Sequence, residues 1–122
     1  MKKILVVDDD KSTLYFCETI LKSYGYDVTT LNYPKKVVKL IKDIGTDLVV
    51  VDILMPYKDG YKVCEEIKEA YGDKVKVIVC TSKTYEIELI EEAYKSFGAD
   101  DFLTKPFEPN ELTEKIEKLV GK

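Results

Sequence analysis

The sequence predicts an open α/β sheet of five parallel strands with helices packed on both faces. Three observations carry this. Five short apolar runs alternate with five stretches of helical periodicity, the strongest runs are apolar at every position, and glycine closes four of the helical stretches just before the next run. Continuous apolarity marks strands covered on both sides. Strict alternation of such strands with helices makes a parallel sheet joined by right-handed crossovers. Five units are too few for an eight-stranded barrel, which leaves the doubly wound open sheet.

The first run is Ile4-Leu5-Val6-Val7, followed directly by three aspartates. The helical stretch after it places Leu14, Cys17, Leu21 and Tyr24 on one face and stops at Gly25. Val28 to Leu31 is a weaker second run, and Val37, Ile41 and Ile44 share the second helical face, between Pro34 and Gly45. The third run, Leu48 to Val51, ends at Asp52, and Val63, Ile67 and Ala70 give a third helix closed by Gly72. Val75 to Cys80 is the fourth run, ending at Thr81-Ser82, and Ile87, Ile90, Tyr94 and Phe97 give a fourth helix closed by Gly98. The short fifth run, Phe102-Leu103, precedes Lys105-Pro106. Leu112, Ile116 and Leu119 then form the fifth helix, with Glu111–Lys115 and Glu114–Lys118 as supporting pairs on its outer side. Glycine suits these stops because the left-handed conformation costs it nothing. Three of them continue as Gly-x-Asp, at Gly25, Gly45 and Gly98.

A chain of 122 residues, 45% hydrophobic and 34% charged, holds one domain with ample apolar mass for a core, so residues 1–122 read as a single ordered unit. Net charge is −4, with 19 Lys and no Arg against 23 acids, and no basic footprint exists for direct nucleic-acid binding. The absence of His excludes imidazole metal sites, His general bases and Ser-His-Asp or Cys-His catalysis. Cys17, Cys64 and Cys80 are odd in number, far apart and set in apolar contexts. They read as core thiols of a reducing compartment. The apolar start is too short for a signal peptide and no apolar stretch is long enough to span a bilayer, so a cytoplasmic protein without membrane insertion is expected.

Ligands of doubly wound sheets bind at the carboxyl ends of the strands. There the sequence sets Asp8 and Asp9 after the first run, Asp52 after the third, Thr81 after the fourth and Lys105 after the fifth. Two carboxylates about 4 Å apart repel by roughly 4 kcal/mol at an effective dielectric of 20, so converging aspartates need a cation. Carboxylate oxygens are hard ligands that favour Mg²⁺, whose open coordination positions suit a phosphate. Lys105 and the Thr81 hydroxyl are suited to the remaining phosphoryl oxygens. Asp52, single and flanked by apolar residues, fits a nucleophile that forms an aspartyl-phosphate. Asp10 reads instead as a cap of the first helix, Ser82 as a cap of the fourth, and Asp59-Gly60 as turn and helix-start chemistry. Glu86, Glu88, Glu91 and Glu92 read as a solvated helix face.

Four segments together resemble the receiver domain of two-component response regulators, of the chemotaxis-receiver kind, along the whole chain. They are Ile4-Leu5-Val6-Val7-Asp8-Asp9, Asp52 through Gly60, Val77 through Ser82, and Phe102-Leu103-Thr104-Lys105-Pro106-Phe107. The resemblance implies a (βα)5 flavodoxin-like sheet of strand order 2-1-3-4-5, the order known for such receivers. It implies Asp52 as phosphoacceptor, and Mg²⁺ held by Asp9, Asp52 and the backbone carbonyl of Leu54, with Asp8 acting largely through water. Thr81 and Lys105 would contact the phosphoryl group, Phe102 would occupy an aromatic switch position, and the Lys105-Pro106 bond is one that this family often holds cis. Leu54 and Lys83, two residues beyond Asp52 and Thr81, would flank the path of hydrolytic water. The implied donor is a phosphohistidine on a sensor histidine kinase or phosphotransfer protein, which a chain without His cannot supply itself. The implied output is a downstream effector reading the face of the fourth helix, fifth strand and fifth helix.

The expected function is therefore a phosphoacceptor signalling domain that catalyses only its own phosphorylation and dephosphorylation. One alternative is an Mg²⁺-dependent aspartyl phosphatase, against which stands Leu54, where such enzymes carry a second Asp. The other is a docking module that works without phosphorylation, against which stands the intact set Asp8, Asp9, Asp52, Thr81 and Lys105. A nucleotide-binding enzyme is disfavoured by the lack of any Gly-x-Gly-x-x-Gly or Gly-x-x-x-x-Gly-Lys-[Ser/Thr] motif.

Overall fold

The five apolar runs are the five strands β1 (Lys3–Val7), β2 (Asp27–Leu31), β3 (Leu48–Asp52), β4 (Lys76–Thr81) and β5 (Asp101–Thr104). They pair in parallel throughout, in the order β2-β1-β3-β4-β5 implied by the resemblance. The computed structural model describes residues 1–53, 55, 59–81 and 94–122. Among these are α1 (Lys11–Ser23), α2 (Val37–Ile44), α3 (Gly60–Tyr71) and a C-terminal helix (Pro109–Val120). Residues 94–96 are also helical, while Ile87, Ile90 and the rest of the predicted fourth helix lie outside the described residues, as do Ser82, Lys83, Glu86 and Glu91.

Alternate residues of each run serve opposite cores. Ile4 and Val6 of β1, Val50 of β3 and Ile78 of β4 pack with α1 and the C-terminal helix. Leu5 and Val7, Val49 and Val51, and Val77 and Val79 pack with α2 and α3. This explains why the runs of β1, β3 and β4 lack polar alternation: both faces of these central strands are covered. Burying each such side chain is worth about 1.5–3 kcal/mol. Two face assignments need correction. Tyr24 is the C-cap of α1 and Ala70 lies in the last turn of α3, and both are exposed. In the third helix Cys64 is buried beside Val63 and Ile67.

The Gly-x-Asp stops do more than end helices. After Gly45, which has φ +69, the Asp47 amide donates to Lys3 O at 2.8 Å and its carboxylate accepts from Lys3 N at 2.8 Å. After Gly98, Asp100 makes the same reciprocal pair with Val77, both bonds at 2.8 Å. Each aspartate thus satisfies the amide of a neighbouring strand near its start. Asp100 also accepts from Lys68 Nζ at 2.7 Å, and that ammonium donates as well to Val75 O and Gly72 O.

The caps follow the sequence reading. Asp10 accepts from Ser12 N at 3.0 Å, and its hydrogen bonds from Thr13 and Ser12 hold its carboxyl below the usual carboxylate range. Asp59 accepts from Tyr61 N at 2.8 Å at the start of α3. In the C-terminal helix the predicted Glu111–Lys115 pair does not form. Glu111 turns back to the Glu108 amide in a capping box, and Lys115 reaches Asp101 at 3.0 Å, because the helix start and the adjoining strand offer nearer partners. The three cysteines are buried free thiols, as read. Burial pushes Cys17 up to about 11, Cys64 up to about 12 and Cys80 higher still. No described helix is long and apolar enough to cross a membrane.

Candidate functional site

Because all five strands are parallel, their carboxyl ends share one edge of the sheet. β1 and β3 are neighbours whose register ends at Val7 opposite Val51, so Asp8 and Asp52 stand side by side at the next position. The Asp8 amide donates to Leu31 O at 3.1 Å, which ties it to β2. The Ile53 amide donates to Cys80 O at 2.8 Å and holds the end of β3 against β4. Oxygens of Asp8, Asp9 and Asp52 lie within 4.8 Å of one another. Asp8 and Asp52 are 2% and 7% exposed while Asp9 is exposed, so the cluster is walled below and accessible above.

Among the described residues, Lys105 joins them. Lys105, just past β5, donates to Asp8 Oδ2 at 2.6 Å and lies 3.7 Å from Asp52 Oδ2. Its own amide donates to Thr81 O at 2.7 Å, which fixes its backbone to the end of β4. The following Lys105-Pro106 peptide is cis, the isomer the resembled family often holds there. Burial pulls the Lys105 ammonium down, but the Asp8 hydrogen bond and the charges of Asp52 and Asp8 outweigh it and hold it above the usual lysine range. The second Asp8 oxygen accepts from Asp10 N at 2.9 Å.

Among the described residues, three carboxylates face one ammonium at a partly buried site. That donor set, all hard oxygens with one open side, fits a small divalent cation. Thr81 is buried at the end of β4. Phe102 stands opposite Val79 in the β4–β5 register, and Thr81 opposite Thr104. Side chains two apart along a strand share a face, so the Phe102 ring and the Thr81 hydroxyl lie on the same side of the sheet. Asp8, Asp9, Asp52 and Lys105 are thus brought together, with Thr81 at the end of the adjoining β4 and Phe102 set back along β5 opposite Val79. Leu54 and Lys83 lie outside the described residues.

Two features went unread in the sequence. Gly60 packs so tightly on the end of β3 that a Cβ there would fall 2.1 Å from the Asp52 carbonyl oxygen. The Asp59-Gly60 pair signalled a helix start but not this contact. A groove of about 490 Å³ also opens beside the acids, lined by Ser12, Thr13, Phe16, Lys105, Pro106 and Phe107. Phe16 is 40% exposed, and its ring lies 5.8 Å from that of Phe107. An aromatic residue on the outer side of α1 was the available signal.

Comparison with known proteins places these features in context. The sequence profile of the response regulator receiver domain matches residues 4–117. Response regulator SaeR of Staphylococcus epidermidis is 34% identical over 122 residues, covering 100% of this chain and 52% of the relative. The chain therefore spans about half the length of the curated relatives it matches. Among solved structures, response regulator TrrA of Thermotoga maritima, in complex with Mg²⁺-BeF, aligns with TM-score 0.86 and 32% identity over 98% of this chain and 100% of that one. Chemotaxis protein CheY4 of Vibrio cholerae aligns with TM-score 0.87 over 98% of this chain and 99% of that one; at 23% identity it speaks for the fold alone.

Proposed function

Because the chain belongs to the response regulator receiver domain family, we propose that it is a phosphoacceptor of a two-component phosphorelay, with Asp52 as the residue that carries the phosphoryl group. The observation that carries this reading is the convergence of Asp8, Asp9 and Asp52 from two adjacent strand ends on one edge, with the Lys105 ammonium against them. Residues 1–122 act as one receiver domain. Asp9, Asp52 and the Leu54 carbonyl would hold Mg²⁺ directly and Asp8 largely through water, and the crystallisation of the similar TrrA with Mg²⁺-BeF supports this. When bound, the ion neutralises charge on phosphoryl oxygens.

An Asp52 oxygen attacks phosphorus in line as the P–N bond of a partner's phosphohistidine breaks, and the nitrogen takes the bonding pair and leaves as neutral imidazole, its other ring nitrogen already carrying the proton. Lys105 stabilises the equatorial oxygens and the Thr81 hydroxyl donates to one of them. Water attack on phosphorus later releases inorganic phosphate and restores the carboxylate. The exposed Phe16 and the groove beside Lys105 and Pro106 give a protein donor a surface next to the acceptor. When Thr81 is drawn toward the phosphoryl group, Phe102 turns in behind it and alters the face that a cytoplasmic effector reads. The domain turns over no other substrate and contacts no nucleic acid itself.

The test is incubation with Mg²⁺ and acetyl phosphate followed by intact mass. One phosphate on the wild-type chain and none on Asp52→Asn is expected. Repeated turnover of small phosphate esters would favour a phosphatase, and partner binding with no adduct a docking module.

A further inference from the structure

We propose that Lys115, on the C-terminal helix, is a positioning residue that latches the Phe102 ring in its half-buried orientation and so sets how readily the domain switches. The inference rests on the reading of Phe102 given above.

Among the described residues, two contacts of the Phe102 ring bear on its orientation. Tyr94 contacts it with centroids 5.1 Å apart, and the Lys115 ammonium sits over it at 5.5 Å from the centroid. A cation over an aromatic face is attracted by the ring quadrupole. The ammonium is itself held: Lys115 Nζ donates to Asp101 Oδ1 at 3.0 Å, with the two side chains 31% and 22% exposed. Asp101 precedes Phe102 on β5, and the same Oδ1 accepts from the Phe102 amide at 2.8 Å. The anchor therefore belongs to the strand backbone and does not follow the ring. When Phe102 turns in toward the Thr81 side, the ring leaves the ammonium behind. Lys115 thus favours one of two ring positions, and only such a differential contact can shift an equilibrium. By linkage, whatever bias it places on the ring it also places against phosphoryl binding.

The expected size is modest. A cation–π contact at a partly exposed site changes such a ratio by roughly two- to fivefold. The experiment follows the ring signals of labelled Phe102 by NMR, with and without Mg²⁺ and beryllofluoride as phosphoryl mimic. In Lys115→Met the free protein's signal is expected to move toward the wild-type beryllofluoride-bound position, and beryllofluoride to bind about two- to fivefold more tightly. Lys115→Arg, which keeps the cation, should restore both. Asp101→Asn, which keeps an acceptor for the Phe102 amide but loosens the ammonium, should shift the signal in the same direction as Lys115→Met.

A folded Lys115→Met protein whose ring signal and beryllofluoride affinity match wild type overturns the latch while leaving the Asp52 reading intact, provided acetyl phosphate still labels Asp52. A wild-type ring that does not respond to beryllofluoride also overturns the latch. If Asp52 takes no phosphate either, the functional reading falls with it.

Discussion

Replacing Gly60 with alanine tests the packing that presents the acceptor. The backbone at Gly60 is not in the left-handed region, so alanine meets no conformational objection there. The objection is steric. Its Cβ would sit 2.1 Å from the Asp52 carbonyl oxygen, 2.6 Å from Ile53 Cα and 2.8 Å from the Asp52 carbonyl carbon. All three are backbone atoms, so no side chain can rotate aside. Carbon contacts are comfortable at about 3.5–4.0 Å, so the start of α3 and the end of β3 must separate by about 1 Å. Forced overpacking of this kind costs about 1–3 kcal/mol. The smaller entropy of an unfolded chain with alanine returns about 0.4–1 kcal/mol, leaving a net loss of about 1–2 kcal/mol. With a urea slope of about 2 kcal/mol/M, the midpoint falls by roughly 0.5–1 M.

The displaced carbonyl belongs to Asp52, so the acceptor moves too. A misplacement of about 1 Å costs up to ~100-fold in rate, and labelling of Gly60→Ala by acetyl phosphate should slow by about 10- to 100-fold. Gly45→Ala is the control. There φ is +69 and the nearest atom to a Cβ is Lys3 Nζ at 4.0 Å, so only the left-handed strain of about 1–2 kcal/mol applies and labelling should hold. A Gly60→Ala protein with wild-type midpoint and labelling rate would refute the reasoning.

Three further outcomes follow from the same structure. Thr46 Oγ1 is buried without a hydrogen-bond partner among the described residues, so Thr46→Val should raise stability by about 1 kcal/mol in urea titration, and a fall would contradict this. Lys68→Met removes an ammonium that serves Asp100, Val75 O and Gly72 O at a site 14% and 18% exposed. It should cost about 2–3 kcal/mol, with a smaller added loss when combined with Asp100→Asn. The Cys17 thiol, pushed by burial from 9.0 to about 11, stays protonated in the fold while the unfolded chain ionises. The stability this thiol contributes is therefore complete below pH 9 and is lost as pH rises from 9 toward 11. The urea midpoint should trace that decline, more shallowly in Cys17→Ala.

The strand ends were legible because residue order along a strand is a local property. Once Val51 is read as strand and parallel, Asp52 must lie at its carboxyl end, and Asp8 likewise after Val7. The glycine stops were legible for the same reason, as Gly45 and Gly98 with their positive φ show. The Glu111–Lys115 pair was misread because helical spacing lists neighbours on one helix only, and Lys115 found Asp101 on the adjoining strand instead.

The chain alone determined the alternation of strands and helices, the chemistry at each strand end, and the acids that gather there, since periodicity and punctuation act over a few residues. Tertiary structure decided which of several possible partners each group meets. Lys105 is 2.6 Å from Asp8, 97 residues away in sequence, but 3.7 Å from Asp52. Gly60 abuts the Asp52 carbonyl, and Asp101 holds Lys115 over Phe102. Such choices turn on differences of about an ångström between groups on separate elements. Those distances come from strand register and helix packing across the whole sheet, which no short stretch of sequence encodes.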